Sequence, residues 1–167
     1  MSKNIEIVYK QDFSTPCGVM VALASDTHLL ELTFGDSVLL EKTLQRRKVI
    51  TAMNSILQET KRYLAAYFKK QFLDLKYPPY LLSGTPLQLA TWSALADINL
   101  GTTITYKQMA HTVNRPTAYR AVGRIIGQNY FDIMLPCHRV IGTHNNLCGY
   151  AHGLTIKRWL LEHEDAT

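Results

Sequence analysis

What this chain has little of narrows it first. No apolar run approaches the roughly 20 residues that a membrane-crossing helix needs, and Met1-Ser2-Lys3-Asn4-Ile5-Glu6 lacks the apolar centre of a signal peptide. Cysteine is scarce, with only Cys17, Cys137 and Cys148. Three cannot all pair, which excludes a dense disulfide scaffold, leaves at least one free thiol and suits a reducing compartment. A cytoplasmic protein, or a nuclear one in a eukaryote, is expected. Charged residues make up only 19% of the chain against 47% hydrophobic, a balance too apolar for disorder. There is no internal repeat and no low-complexity stretch. The 167 residues suffice for one large or two small domains with a sizeable core. A net charge of +5 is compatible with a polyanionic partner but does not by itself require one.

What is there falls into two halves. From Ile5 to Phe34 short apolar runs are broken by Thr15-Pro16-Cys17-Gly18 and Ala24-Ser25-Asp26-Thr27, the pattern of an antiparallel meander. Val38 to Gln45 and Val49 to Phe68 carry apolar residues at helical spacing, including Ile56, Leu57, Tyr63, Leu64, Tyr67 and Phe68, so a long amphipathic helix is expected to pack on that sheet. Lys61-Arg62 and Lys69-Lys70 read as its solvated end. Phe72 to Gly84 holds Pro78-Pro79 and Ser83-Gly84, which break helix and strand alike. The domain boundary is placed there, giving domains 1–80 and 81–167.

Thr85-Pro86 offers a cap followed by proline at the first helical position, opening a helix with Leu87, Leu89, Trp92, Leu95 and Ile98 that Gly101 stops. Tyr106 to Val113 reads as a short helix, Asn114-Arg115-Pro116 as a turn, and Thr117 to Gly127 as a second helix capped by Thr117. Two short helices about a tight turn form a helix-turn-helix pattern. The second carries Arg120 and Arg124, with Arg115 just before it, and its small Ala118, Ala121 and Gly123 let a backbone come close to phosphates or a groove. A solvated basic face is the plainer reading of that helix alone.

The chemistry-bearing motif is Pro136-Cys137-His138-Arg139-Val140, after the apolar Ile133 to Leu135. A cysteine in an apolar stretch is more often an inert core residue than a nucleophile. Here a base and a cation flank it, and both are expected to stabilise the thiolate and lower the thiol's pKa.

Taken together, Tyr106, Arg120-Ala121-Val122-Gly123, Asn129, Pro136 to Val140, Gly149-Tyr150 and Lys157 to Glu164 resemble the O6-alkylguanine-DNA alkyltransferase family over Gly84 to Glu164. The resemblance implies an α+β, two-domain protein: a ribonuclease-H-like sheet with helices, then a helical domain holding the helix-turn-helix and the reactive cysteine. It implies direct reversal of DNA damage. The alkyl group of O6-alkylguanine, and of O4-alkylthymine, would move irreversibly to Cys137, and the protein would be consumed in one turnover. An alkyl carbon is a soft electrophile that suits a polarisable sulfur, and a thioether has no good leaving group.

The same resemblance assigns roles. His138 would act through a bridging water with Glu164 behind it, because in an extended segment the adjacent side chains of Cys137 and His138 point apart. Asn129 would brace the turn at the cysteine, and Tyr106 would hydrogen-bond the extruded guanine. Arg120 would fill the gap left by the flipped nucleotide, with Ala121, Gly123, Arg115 and Thr117 at the DNA. Val140, Tyr150, Ala151, His152 and Lys157 would form the pocket. The partner implied is double-stranded DNA with alkylated guanine, met by a monomer that uses no cofactor.

The chain departs from the family pattern at Leu87, Tyr119, Arg124, Tyr130 and at His144-Asn145-Asn146. It departs also at His152, where an imidazole in place of a frequent glycine is expected to narrow the pocket. Some members bind a structural zinc in the N-terminal domain, where this chain offers only Cys17 and His28. That is too few for a closed site, and no metal is expected. His144, Cys148 and His152 recur every four residues, but Gly149 and Gly153 interrupt any single helix there. The readings of other classes are a lesion-binding protein without transfer, against which Cys137 argues, and a Cys-His-Glu hydrolase, which needs an oxyanion hole and a water path.

Overall fold

A computed structural model describes residues 7–35, 41, 45 and 47–166. The chain divides into two compact units, residues 1–81 and 82–167. The helical stretch expected at Val38 to Gln45 falls almost wholly outside the described residues.

The first unit is built on a sheet. Ile7–Thr15 (β1) and Gly18–Ala24 (β2) form an antiparallel hairpin paired from Tyr9 with Ala24 to Thr15 with Gly18, so Pro16-Cys17 makes the turn. Leu29–Phe34 (β3) runs antiparallel to β2, and Lys48–Thr51 (β4) runs parallel to β1, giving the order β3-β2-β1-β4. Val8, Met20, Ala22, Leu23, Leu32 and Phe34 are buried. The helix expected from Val49 starts only at Ser55: Ser55–Phe68 (α1) follows β4. The β-branched run Val49-Ile50-Thr51 pairs instead with β1, and Asn54 then caps the helix by accepting from Leu57 N at 2.9 Å. Ile56, Leu57, Thr60, Tyr63, Leu64 and Tyr67 lie on the buried face of α1, which packs on β1, β2 and β3. Part of the proline-bearing stretch is tied to this unit, because Leu29 N donates to Pro79 O at 2.7 Å and Leu81 N to Leu29 O at 3.1 Å.

The second unit is helical around one small ladder. Pro86–Ala96 (α2) opens with a capping box in which Thr85 Oγ1 accepts from Gln88 N at 3.3 Å and Gln88 Oε1 from Thr85 N at 2.8 Å. It ends at Ala96, earlier than Ile98, which is buried beyond the helix, while Gly101 takes the left-handed backbone of a following turn at φ +72°. Ile104–Thr105 (β5) leads directly into Tyr106–Thr112 (α3), again with a capping box, from Thr105 and Gln108. Tyr119–Ile126 (α4) follows. Its N-cap is Ala118 and no side chain caps it, so the expected role of Thr117 as cap is corrected: the helix starts two residues later. After α4 and the buried Asn129 the chain runs through a buried segment, residues 131–136, into a single 3-10 turn, Cys137–Arg139. Val140–Ile141 (β6) then pairs in parallel with β5, and Leu154–His163 (α5) closes the unit. Between them His144 and Asn145 adopt left-handed backbone, at φ 56° and 54°.

Candidate functional site

The segment before Cys137 is shaped by one amide. Asn129 is buried; its Nδ2 donates to Leu135 O at 2.8 Å, Phe131 O at 3.4 Å and Cys137 Sγ at 3.2 Å, while its Oδ1 accepts from Phe131 N at 2.9 Å. A single side chain thus ties both ends of the loop and touches the sulfur. Ile133, inside that loop, sits at φ 71°. For a β-branched residue this is a strained backbone state, costing on the order of 1–3 kcal/mol, and burial of the segment from Phe131 to Val140 holds it in place.

His138 and Arg139 turn away from the sulfur. His138 Nε2 lies 2.8 Å from Glu164 Oε1; Arg139 Nε donates to Glu164 Oε2 at 2.7 Å and its Nη2 to Glu164 Oε1 at 3.0 Å, with Nη1 on Ile98 O at 2.6 Å. Burial pushes the Glu164 carboxyl up, but the hydrogen bonds and charges of His138 and Arg139 outweigh it and hold it at about 2. His138 Nδ1 is buried and has no hydrogen-bond partner among the described residues.

The expected depression of the Cys137 thiol is therefore corrected. Its pKa is pushed up to about 12, first by burial and then by the nearby Asp132 carboxylate, with Asn129 and Lys157 opposing. The two neighbours in sequence are engaged by a carboxylate 25 and 26 residues away and do not solvate the sulfur. The reason given for their divergence also changes, since Cys137 to Arg139 is a 3-10 turn and not an extended segment.

Asp132 is the residue that reading the sequence missed. It is 2% exposed; Cys137 Sγ donates to its Oδ1 at 3.7 Å, and His152 Nε2 lies 2.8 Å from its Oδ2. Its signal in the sequence was slight: one acid inside an otherwise apolar run, five residues before Cys137.

A cavity of about 180 Å³ opens over the sulfur. Cys137, Asp132 and Asn129 line it together with Tyr106 of α3, Gly123, Ile126 and Gly127 at α4, and Gly149, Tyr150 and Ala151. Gly123 permits this closeness: a Cβ there would sit 3.3 Å from the Tyr106 ring. Among the described residues Tyr106 Oη makes long contacts, 3.4 Å to Cys148 O and to Gly149 O, and burial pushes its hydroxyl up to about 12, with Cys148 and Cys137 adding to the shift. Val140, His152 and Lys157 stand outside the lining. Lys157 is wholly buried and ties the strand to the pocket loop, its Nζ donating to Val140 O at 2.7 Å, Cys148 O at 3.1 Å and Gly149 O at 3.2 Å. Burial lowers its pKa, and Cys137 and Cys148 partly restore it.

The opposite face of α4 is open to solvent. Arg115, Thr117, Arg120, Ala121 and Arg124 are exposed, whereas Val122 and Ile126 are buried. Arg120 lies over the Tyr119 ring, its Cζ 5.9 Å from the centroid. Cys17 and Cys148 are partly buried free thiols, and no group of three or more His, Cys, Asp or Glu that could hold a metal gathers among the described residues.

Comparison with known proteins agrees over both units. Residues 86–166 match the family described as 6-O-methylguanine DNA methyltransferase, DNA binding domain. The methylated-DNA–protein-cysteine methyltransferase of Methanosarcina acetivorans is 34% identical over 159 residues, which cover 94% of this chain and 98% of that protein. The Methanosarcina barkeri protein of the same name is 46% identical over 110 residues, 65% of this chain and 68% of that one. Among solved structures, the Mycobacterium tuberculosis O6-methylguanine methyltransferase is similar at a TM-score of 0.81 with 30% identity, over 95% of this chain and 93% of that one. A structure from the same organism titled as OGT in complex with DNA is similar at 0.82 with 29% identity, over 96% and 93%.

Proposed function

The chain belongs to the methylated-DNA–protein-cysteine methyltransferase family, DNA-repair methyltransferases with a DNA-binding domain, and we propose that it takes the alkyl group of O6-alkylguanine in duplex DNA, and that of O4-alkylthymine, onto Cys137 in a single irreversible step. The observation that carries this reading is the double use of α4. Its Gly123, Ile126 and Gly127 side lines the cavity over Cys137, while Arg120, Ala121 and Arg124 face solvent on the same short helix. A helix laid on DNA by those arginines brings the cavity to the duplex. A base can then reach the sulfur only by leaving the stack, which costs a few kcal/mol and is least costly for damaged pairs. Arg120 fills the vacated place, with Arg115, Thr117, Ala121 and Gly123 at the backbone.

Within the cavity Tyr106, whose present hydrogen bonds are long, turns its hydroxyl to the guanine. Tyr150 and Ala151 line the base, and Lys157 holds their loop to Val140. The sulfur attacks the alkyl carbon in line, so that the S–C bond forms as the C–O bond breaks. The thiol proton departs through a water to His138 Nδ1, which has no hydrogen-bond partner among the described residues, while Glu164 holds the other ring nitrogen; the guanine leaves having gained a proton, and none is lost overall. A thiol at about 12 reacts slowly until this relay removes its proton. In this reading the first unit is the ribonuclease-H-like domain, and the protein acts as a monomer.

The test is incubation with duplex DNA containing O6-methylguanine, followed by intact-protein mass. One permanent methyl group per chain is expected. Tight binding with unchanged mass would make the protein a lesion binder, and repaired DNA with unchanged mass would make it a turnover enzyme.

A further inference from the structure

A second carboxylate–histidine pair, Asp132 with His152, stands at Cys137 beside His138 and Glu164. Asp132 accepts from the thiol through Oδ1 at 3.7 Å and holds His152 through Oδ2 at 2.8 Å, and both side chains are almost wholly buried, at 2% and 8% exposure. We propose that Asp132 is a positioning residue for alkyl transfer: it keeps Cys137 as a neutral thiol with its hydrogen directed at the carboxylate, and His152, bound to the same carboxylate, sets how strongly it does so. This rests on Cys137 being the alkyl acceptor.

The physical argument is one of charge and direction. A carboxylate this close opposes a second negative charge on sulfur, and accepting the S–H bond favours the protonated form further. The same bond fixes the rotation of the thiol, so that its lone pairs and not its hydrogen are left for the cavity. The His152 ring, 2.8 Å from Asp132 Oδ2, draws part of the carboxylate's charge away from the oxygen that faces the sulfur. The other polar groups acting on Cys137 are the Asn129 amide on the sulfur, Lys157 from α5, which favours the thiolate, and Tyr106 from α3; His138 and Glu164 turn away from it. The consequence is a nucleophile that rests unreactive toward stray soft electrophiles and is released only when a nucleotide fills the cavity.

Asp132→Asn and His152→Gln should shift the thiol in opposite directions, which simple loosening of the pocket would not do. The measurement is the rate of Cys137 carbamidomethylation by iodoacetamide, resolved by peptide mass, from about pH 7 to about pH 10 in free protein. In D132N the rate at neutral pH should rise about tenfold and stay raised by about the same factor up to about pH 10, as for a thiol whose pKa has fallen by about a unit from about 12 and still lies above that range. In H152Q it should fall, and the double variant should follow D132N. A D132N profile that keeps the wild-type rate overturns the proposal, as does an H152Q rate equal to or above wild type. If D132N does not fold, H152Q alone decides. Because no DNA is present, failure to accept methyl from DNA would sink the proposed function and leave this titration standing.

Discussion

Two buried carboxylate–histidine pairs serve the same short stretch of chain and do opposite things. Glu164 with His138 and Asp132 with His152 have the same 2.8 Å separation. Glu164 also holds Arg139 through both oxygens, and its charge is spent inside a closed network that keeps the carboxyl at about 2. Asp132 turns its second oxygen to the thiol and helps push that group up. The difference lies in what each carboxylate's remaining oxygen meets. One pair builds structure and orients an imidazole; the other acts on the sulfur.

The sharpest way to break this comparison is to neutralise each acid in turn. Glu164→Gln should destabilise the protein by about 3–5 kcal/mol, because it strands Arg139, a buried cation that cannot release its proton. Asp132→Asn should cost less than about 1 kcal/mol, since the isosteric amide keeps an oxygen in place for the Cys137 thiol. Denaturant unfolding of the two variants checks this, and equal losses would erase the distinction.

Acid should reveal the same asymmetry in the wild-type protein. Glu164 binds its proton less readily folded than unfolded, so its contribution is fully present above about pH 4.5 and is lost as pH falls toward about 2. The loss is roughly 3 kcal/mol over that window. The stability of E164Q should be flatter there, and an unchanged slope in E164Q would place the acid sensitivity in other carboxylates.

A smaller effect should follow methylation of Cys137. The adduct removes the thiol's donation to Asp132 and crowds the Asn129 amide at 3.2 Å, although the cavity leaves some room. A loss of roughly 1–3 kcal/mol is expected, read as an earlier thermal midpoint for the methylated protein free of DNA. An equal or higher midpoint would mean the sulfur's surroundings already accommodate the group.

Much of the second unit was legible because its signals are local. Thr85-Pro86 and the two short helices about Asn114-Arg115-Pro116 are read from neighbours in sequence, and the caps at Thr85 and Thr105 obey local rules. Thr117 failed because the helix starts at Tyr119 without any side-chain cap. In the first unit Val49 to Thr51 has both helical and strand character, and pairing with β1, some 40 residues away, decides for strand. The site's electrostatics were least legible. Adjacent residues suggested an activated thiolate, but burial and the Asp132 carboxylate push the thiol the other way, while Glu164, far away in sequence, engages His138 and Arg139.

The most direct test of the account is where the alkyl group goes. Peptide mapping of the protein after reaction with DNA containing O6-methylguanine should find the methyl group on Cys137 alone, and Cys137→Ser should bind that DNA without acquiring it. A methyl group on Cys17 or Cys148, or transfer that survives in C137S, would contradict the account.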